Sequence, residues 1–204
     1  MKLSLLTVGL SSLLLLGCSE PAPVAKKEPP KPAEAVSGAS ALFKMYQDAR
    51  AKFSPDAKVL KMNSIHLAEV TSVPGKAGAW QATFTSENLG KARNYTYSVV
   101  EEEGNLHKGA FSSGEQSWTP GSGGSTPINI GDVTVDSEAA YKVALEKSAD
   151  YDKKNPGMTI SFVLERPTKY NEPVWRVIWG ESAGTSNNSV YVSASSGKFL
   201  EKMH

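Results

Sequence analysis

One cysteine, three histidines and no apolar stretch longer than about 14 residues bound what this 204-residue chain can be. A lone Cys18 excludes an intrachain disulfide, so the folded part is held by its apolar core alone. His66, His107 and His204 lie far apart, and no pair has the short spacing of a helix-borne metal site. Serines are plentiful, yet the Gly-x-Ser-x-Gly elbow is missing. Gly121-Ser122-Gly123-Gly124 lacks the Lys-Ser/Thr of a phosphate loop. Glu101-Glu102-Glu103 and Asp150-Tyr151-Asp152 have no Asp/Asn ladder of the calcium type and read as solvated acidic segments. Neither sign of charge dominates, with 22 basic and 21 acidic side chains, which removes the electrostatic footprint of a nucleic-acid binder. These scarcities leave no catalytic residue, metal site or cofactor site to nominate, and the expectation is a chain that is not an enzyme.

What the chain does have begins at its amino terminus. Lys2 precedes the apolar stretch Leu3–Leu16, which is too short for the roughly 20 residues of a membrane-spanning helix and has the build of a secretory signal. Leu15-Leu16-Gly17-Cys18 resembles the lipobox of bacterial lipoproteins. The resemblance implies removal of residues 1–17 as a signal peptide. It also implies acylation of Cys18, with palmitate-type chains anchoring the protein to a membrane. A single chain would hold weakly, and two or more hold firmly. Ser19 stands where aspartate would imply retention in an inner membrane, so the implied address is the cell outer membrane, facing the periplasm.

Cleavage there leaves 187 residues, with 21 charges of each sign. Residues 18–39, rich in Pro, Ala, Lys and Glu, read as a semi-extended tether. At about 3.1 Å per residue it reaches on the order of 60 Å. Beyond it the pattern recurs. In Ser40–Phe53, Leu42, Met45, Tyr46, Ala49 and Phe53 share a helical face, with Ser40 as the predicted N-cap and Ser54-Pro55 as the stop. Asp136-Ser137-Glu138 opens a second such helix, with Ala140, Tyr141, Ala144, Leu145 and Ser148 on one face. Strand-like runs follow at Lys58–Leu67 and Met158–Arg166. Trp80-Gln81-Ala82-Thr83-Phe84 then matches Trp175-Arg176-Val177-Ile178-Trp179. A tyrosine-bearing strand and a glycine turn close each copy, 24 and 22 residues after its first tryptophan. The predicted fold is α+β, two tandem copies of a helix packed on a small antiparallel sheet, packed together. The boundaries are 40–111 for repeat 1, 112–127 for a Gly/Ser-rich connector and 128–204 for repeat 2. One larger domain with a long internal loop is the alternative.

The second copy resembles the PepSY domain. Val133-Thr134-Val135-Asp136-Ser137-Glu138-Ala139-Ala140 is similar to that family's entry to its helix. Pro173-Val174-Trp175-Arg176-Val177 is similar to its central strand, and Val190–Leu200 to its ending, with serine at 193 and 195 where the family usually has aspartate. The first copy keeps the outline of the same PepSY-like order. The resemblance implies a non-catalytic module of secreted and envelope proteins, some members of which restrain peptidases.

Trp80, Trp175 and Trp179 fall at alternate strand positions and are expected in the core. Trp118, in Gln116-Ser117-Trp118-Thr119-Pro120, has two readings: an exposed contact for a partner, or a ring folded back over the first sheet. The function expected is a non-enzymatic, lipid-anchored envelope protein that binds another envelope protein or a cell-wall component, in its sharpest form restraining a peptidase. The alternative is a structural or assembly part of an envelope complex.

Overall fold

The computed structural model describes residues 32–101, 106–122 and 124–203. The signal peptide, Cys18 and the first part of the tether lie outside the described residues. So do Glu102, Glu103, Gly104, Asn105, Gly123 and His204.

A two-residue strand β1 (Val36–Ser37) leads directly into helix α1 (Gly38–Lys52). Strands β2 (Lys58–Ile65), β3 (Lys76–Ala77), β4 (Ala79–Ser86), β5 (Lys91–Ser98) and β6 (Gly109–Ser117) follow. After a 3-10 turn at Ile130–Asp132 come α2 (Ser137–Lys154), β7 (Ile160–Glu165), β8 (Val174–Trp179), β9 (Ser189–Ser193) and β10 (Phe199–Met203). The fold is α+β, with two helices and an antiparallel eight-stranded sheet ordered β10-β9-β8-β7-β2-β4-β5-β6. Helix α1 lies over β4 and β5, and α2 over β8 and β9.

The apolar periodicities explain this layering. Alternation turns Trp80, Ala82 and Phe84 of β4, and Trp175, Val177 and Trp179 of β8, toward the helices, where all six are buried. Ala41, Leu42, Met45 and Ala49 of α1 meet them, as do Ala140 and Ala144 of α2. The three tryptophans expected in the core are there.

The two halves join through their first strands. Strands β2 and β7 pair at only three positions: Lys61↔Glu165, Met62↔Leu164 and Asn63↔Val163. Trp80 lies opposite Ser64, and Trp175 opposite Leu164. Matching the two tryptophans therefore matches Asn63 to Val163, and an approximate twofold axis passes between those paired residues. Around it the tryptophans act alike. Trp80 Nε1 donates to Val36 O (3.1 Å) and Trp175 Nε1 to Val135 O (2.7 Å), each time the carbonyl just before a helix cap. Their rings meet edge-on at 6.2 Å.

The helix N-termini also meet. The α1 cap is Ser37 and not Ser40, because Ser37 Oγ accepts from Ser40 N. Asp136 caps α2 as expected, accepting from Ser137 N at 2.6 Å, and the same oxygen accepts from Ala39 N of α1 at 2.9 Å. Ser137 Oγ accepts from Gly38 N at 2.8 Å. Position 38 has room for glycine alone, since a Cβ there would stand 2.6 Å from the Trp175 ring.

Three boundaries read from composition need correction. The tether to residue 39 ends earlier, because Val36-Ser37 pairs with β3 and Gly38 is helical. The connector from 112 begins too soon: Ser112–Ser117 continue β6, whose backbone pairs with β5 despite the small polar side chains. Ile128, placed in repeat 2, is buried against repeat 1, where it exchanges backbone hydrogen bonds with Val59 (2.6 and 3.0 Å). An apolar residue just past a polar connector plugs a core.

Candidate functional site

Beyond Asn63↔Val163 the two central strands part. Strand β2 stays paired with β4 as far as Ile65↔Ala79, and β7 with β8 back to Ile160↔Trp179. Between them Ser64 Oγ accepts from Phe162 N at 2.9 Å, a side chain standing in for a strand-to-strand bond. The divergence opens a cleft of about 320 Å³ lined by Ser64, His66, Thr71, Ser72, Thr159 and Ser161, among others.

Loop Leu67–Gly75 bounds this cleft, supported by a small cluster of Leu67, Val70 and Ala79. The loop is fixed at Gly75, whose φ of +78° only glycine adopts readily. Its carbonyl accepts from Ser137 Oγ (2.6 Å), and a Cβ there would strike the Glu138 backbone at 2.4 Å. Lys76, at the rim, stands 3.5 Å from Glu138. A neighbouring pocket of about 310 Å³ shares Met158 and Ile160 with the cleft and is also lined by Pro74, Tyr141 and Asp152. Burial, reinforced by the Asp152 carboxylate, holds the Tyr141 phenol above its ordinary pKa. A lining of hydroxyls and strand-end backbone is suited to hydrogen-bonding a polar or peptide group.

Elsewhere α1 carries a separate apolar groove of about 330 Å³, formed by Ala39, Leu42, Phe43, Ile130, Gly131 and Val133. Phe43 is 56% exposed.

Residues singled out in the sequence scatter. Trp118 is 6% exposed, its backbone N–H donating to Gly90 O at 2.9 Å, so the reading as an exposed partner contact is corrected: the residue is buried beside the first half. His66 lines the cleft, whereas His107 is at the surface with Nδ1 2.6 Å from Glu101 Oε1. Glu101 is held below its ordinary pKa by the Lys108 backbone N–H and by His107. Asp152 accepts from Trp179 Nε1 at 2.9 Å. Cys18 lies outside the described residues. Ser64, Thr159 and Ser161 gave no signal in the sequence, because hydroxyls at strand ends are common and only pairing register shows where two strands part.

No protein-family model matches the chain, and no curated protein matches it in sequence. Among solved structures it is similar to one described as a "putative lipoprotein" from Clostridium difficile 630, at 10% identity and a TM-score of 0.45. That alignment covers 77% of this chain and 90% of the other. Among the described residues no helix is long and apolar enough to cross a membrane.

Proposed function

We propose that this is a lipid-anchored envelope protein, held by acylated Cys18, whose body of two PepSY-like copies binds another envelope protein without catalysing a reaction. Its place is the outer membrane, facing the periplasm, and restraint of a peptidase is the sharpest form of the role. The anchor rests on the Leu15-Leu16-Gly17-Cys18 pattern. The observation that carries the binding role is Phe43, which stands largely in water beside an apolar groove on α1. An exposed phenylalanine next to a groove of Leu42, Ile130 and Val133 is surface of the kind that partners cover.

Mass spectrometry of the membrane-extracted chain tests the anchor, and the expected amino terminus is an acylated Cys18. An unmodified thiol on the full-length chain refutes it. Crosslinking in cells with the parent chain and Phe43→Asp tests the partner: the parent captures an envelope protein and the variant loses it. Added to a panel of envelope proteases, the parent slows at least one, and no effect on any removes the peptidase version.

A further inference from the structure

The twofold axis between β2 and β7 relates two places where these strands end their pairing, and the chain treats them differently. On the side of Lys61↔Glu165, the segment after β6 runs into the gap. Ser125 bridges Pro167, Thr126 N donates to Arg166 O at 2.9 Å, and Ile128 exchanges two hydrogen bonds with Val59. This extended segment therefore bonds to the β2 edge and to the end of β7 at once, as a short inserted strand.

Symmetry places the counterpart of that gap on the other side of Asn63↔Val163. The register sums that pair Lys61 with Glu165 and Met62 with Leu164 would pair Ile65 with Ser161 and Ser64 with Phe162, and those pairs do not form. The counterparts of Val59 and of Arg166-Pro167 fall near Ile160 and at His66-Leu67. These residues line the 320 Å³ cleft. Backbone groups alternate sides along an antiparallel strand. The Phe162 N–H points across to β2, so by that alternation Leu164 bonds its partner Met62. Ser64 on β2 and Ile160 on β7 turn backbone groups to the same gap, with His66 just past the end of β2. The Phe162 N–H is claimed there by a side chain, Ser64 Oγ, which leaves Ile160 and His66, beyond the last pair, as the counterparts of Val59 and Arg166.

We infer that this cleft is a strand slot: it takes an extended segment of a partner polypeptide, bonded to the edges of β2 and β7 as residues 125–128 are bonded at the symmetry-related gap. This rests on the protein-binding reading above and adds, apart from the Phe43 groove, a second place at which the partner is held. Hydrogen bonding is through the backbone, as in other strand-addition complexes. Selectivity falls to the lining. Thr71, Ser72, Thr159 and Ser161 surround the path, while Ile65, Leu67, Val70 and Ile160 supply apolar contact. An uncharged segment of small and β-branched residues, such as the chain itself uses at 125–128, fits that lining.

The probe is a synthetic heptapeptide of residues 124–130, Gly-Ser-Thr-Pro-Ile-Asn-Ile, titrated to millimolar concentration into the isotope-labelled full chain. The expected result is saturable shifts of the Ser64, His66, Ile160 and Ser161 amides, with affinity at least tenfold weaker in Thr159→Trp, which fills the path. Absence of shifts, shifts confined to other surfaces, or unchanged affinity in a folded Thr159→Trp chain overturns the slot. Should Thr159→Trp fail to fold, the location of the shifts in the parent chain decides alone. Self-association that buries the same amides assigns the slot to a second copy and overturns the partner. Capture of a cellular partner equally by parent and Thr159→Trp overturns the slot yet leaves the binding reading intact. Capture by neither removes the binding reading.

Discussion

Replacing Asp136 with alanine is expected to unfasten both helices, though the residue belongs to one. Its Oδ1 accepts from Ser137 N at the start of α2 and from Ala39 N in the first turn of α1. Loss of an N-cap costs about 1 kcal/mol, with a range of roughly 0.5–2. The Ala39 N–H then loses its acceptor in a partly buried setting, which adds about 1–2 kcal/mol. The sum is about 2–3 kcal/mol. In a body of this size each kcal/mol lowers Tm by roughly 2–4 °C, so Tm falls by about 5–10 °C. Ser37→Ala is the control, since Ser37 caps α1 alone through Ser40 N and should cost about 1 kcal/mol. Urea denaturation supplies the free energies. Native-state hydrogen exchange supplies the location: in Asp136→Ala the Ala39 amide should lose protection although the substitution lies 97 residues away. If Asp136→Ala costs no more than Ser37→Ala and Ala39 keeps its protection, the shared cap is wrong.

Two further outcomes follow from local chemistry. Hydrogen bonds from the Ser54 and Ser86 hydroxyls, at 2.5 and 2.6 Å, hold Asp56 at a pKa of about 2 in place of 3.8. Because the folded value is the lower one, the ionised carboxylate stabilises the fold above about pH 3.8, and this contribution is lost as pH falls through about 2. Acid unfolding followed by circular dichroism should be shallower over that window in Asp56→Asn, and identical slopes would refute it. Trp118→Ala should destabilise the fold by about 2–4 kcal/mol, as for a large side chain removed from a packed site, while capture of a partner in cells stays as in the parent. A stable variant that has lost its partner would restore Trp118 as a contact.

Short-range patterns made much of this architecture legible. The 3.6-residue spacing in both helices and the alternation around Trp80 and Trp175 follow from local geometry, so they located the elements within a few residues and identified the buried tryptophans. Boundaries in polar sequence were less legible. Ser112–Ser117 and Val36-Ser37 have side chains typical of loops, and it is backbone pairing with a neighbouring strand that makes them strands. Ser37 and Ser40 both suit a cap, and only the bond from Ser40 N to Ser37 Oγ shows that Ser37 fills the role.

By itself, then, the sequence determined the absence of a disulfide, the balance of charge, the positions of the two helices and the tryptophan strands, and which of their faces turn inward, because each depends on residue identity or on neighbours a few positions away. Tertiary structure alone decided that β2 and β7 meet at three pairs and part beyond them, and that the two helix N-termini share one carboxylate. It also decided that Ile128, at the start of the second half, is buried against the first, bridged to Val59. These are contacts between residues roughly 70 to 100 positions apart, set by how two sheets join edge to edge, and no local pattern encodes them.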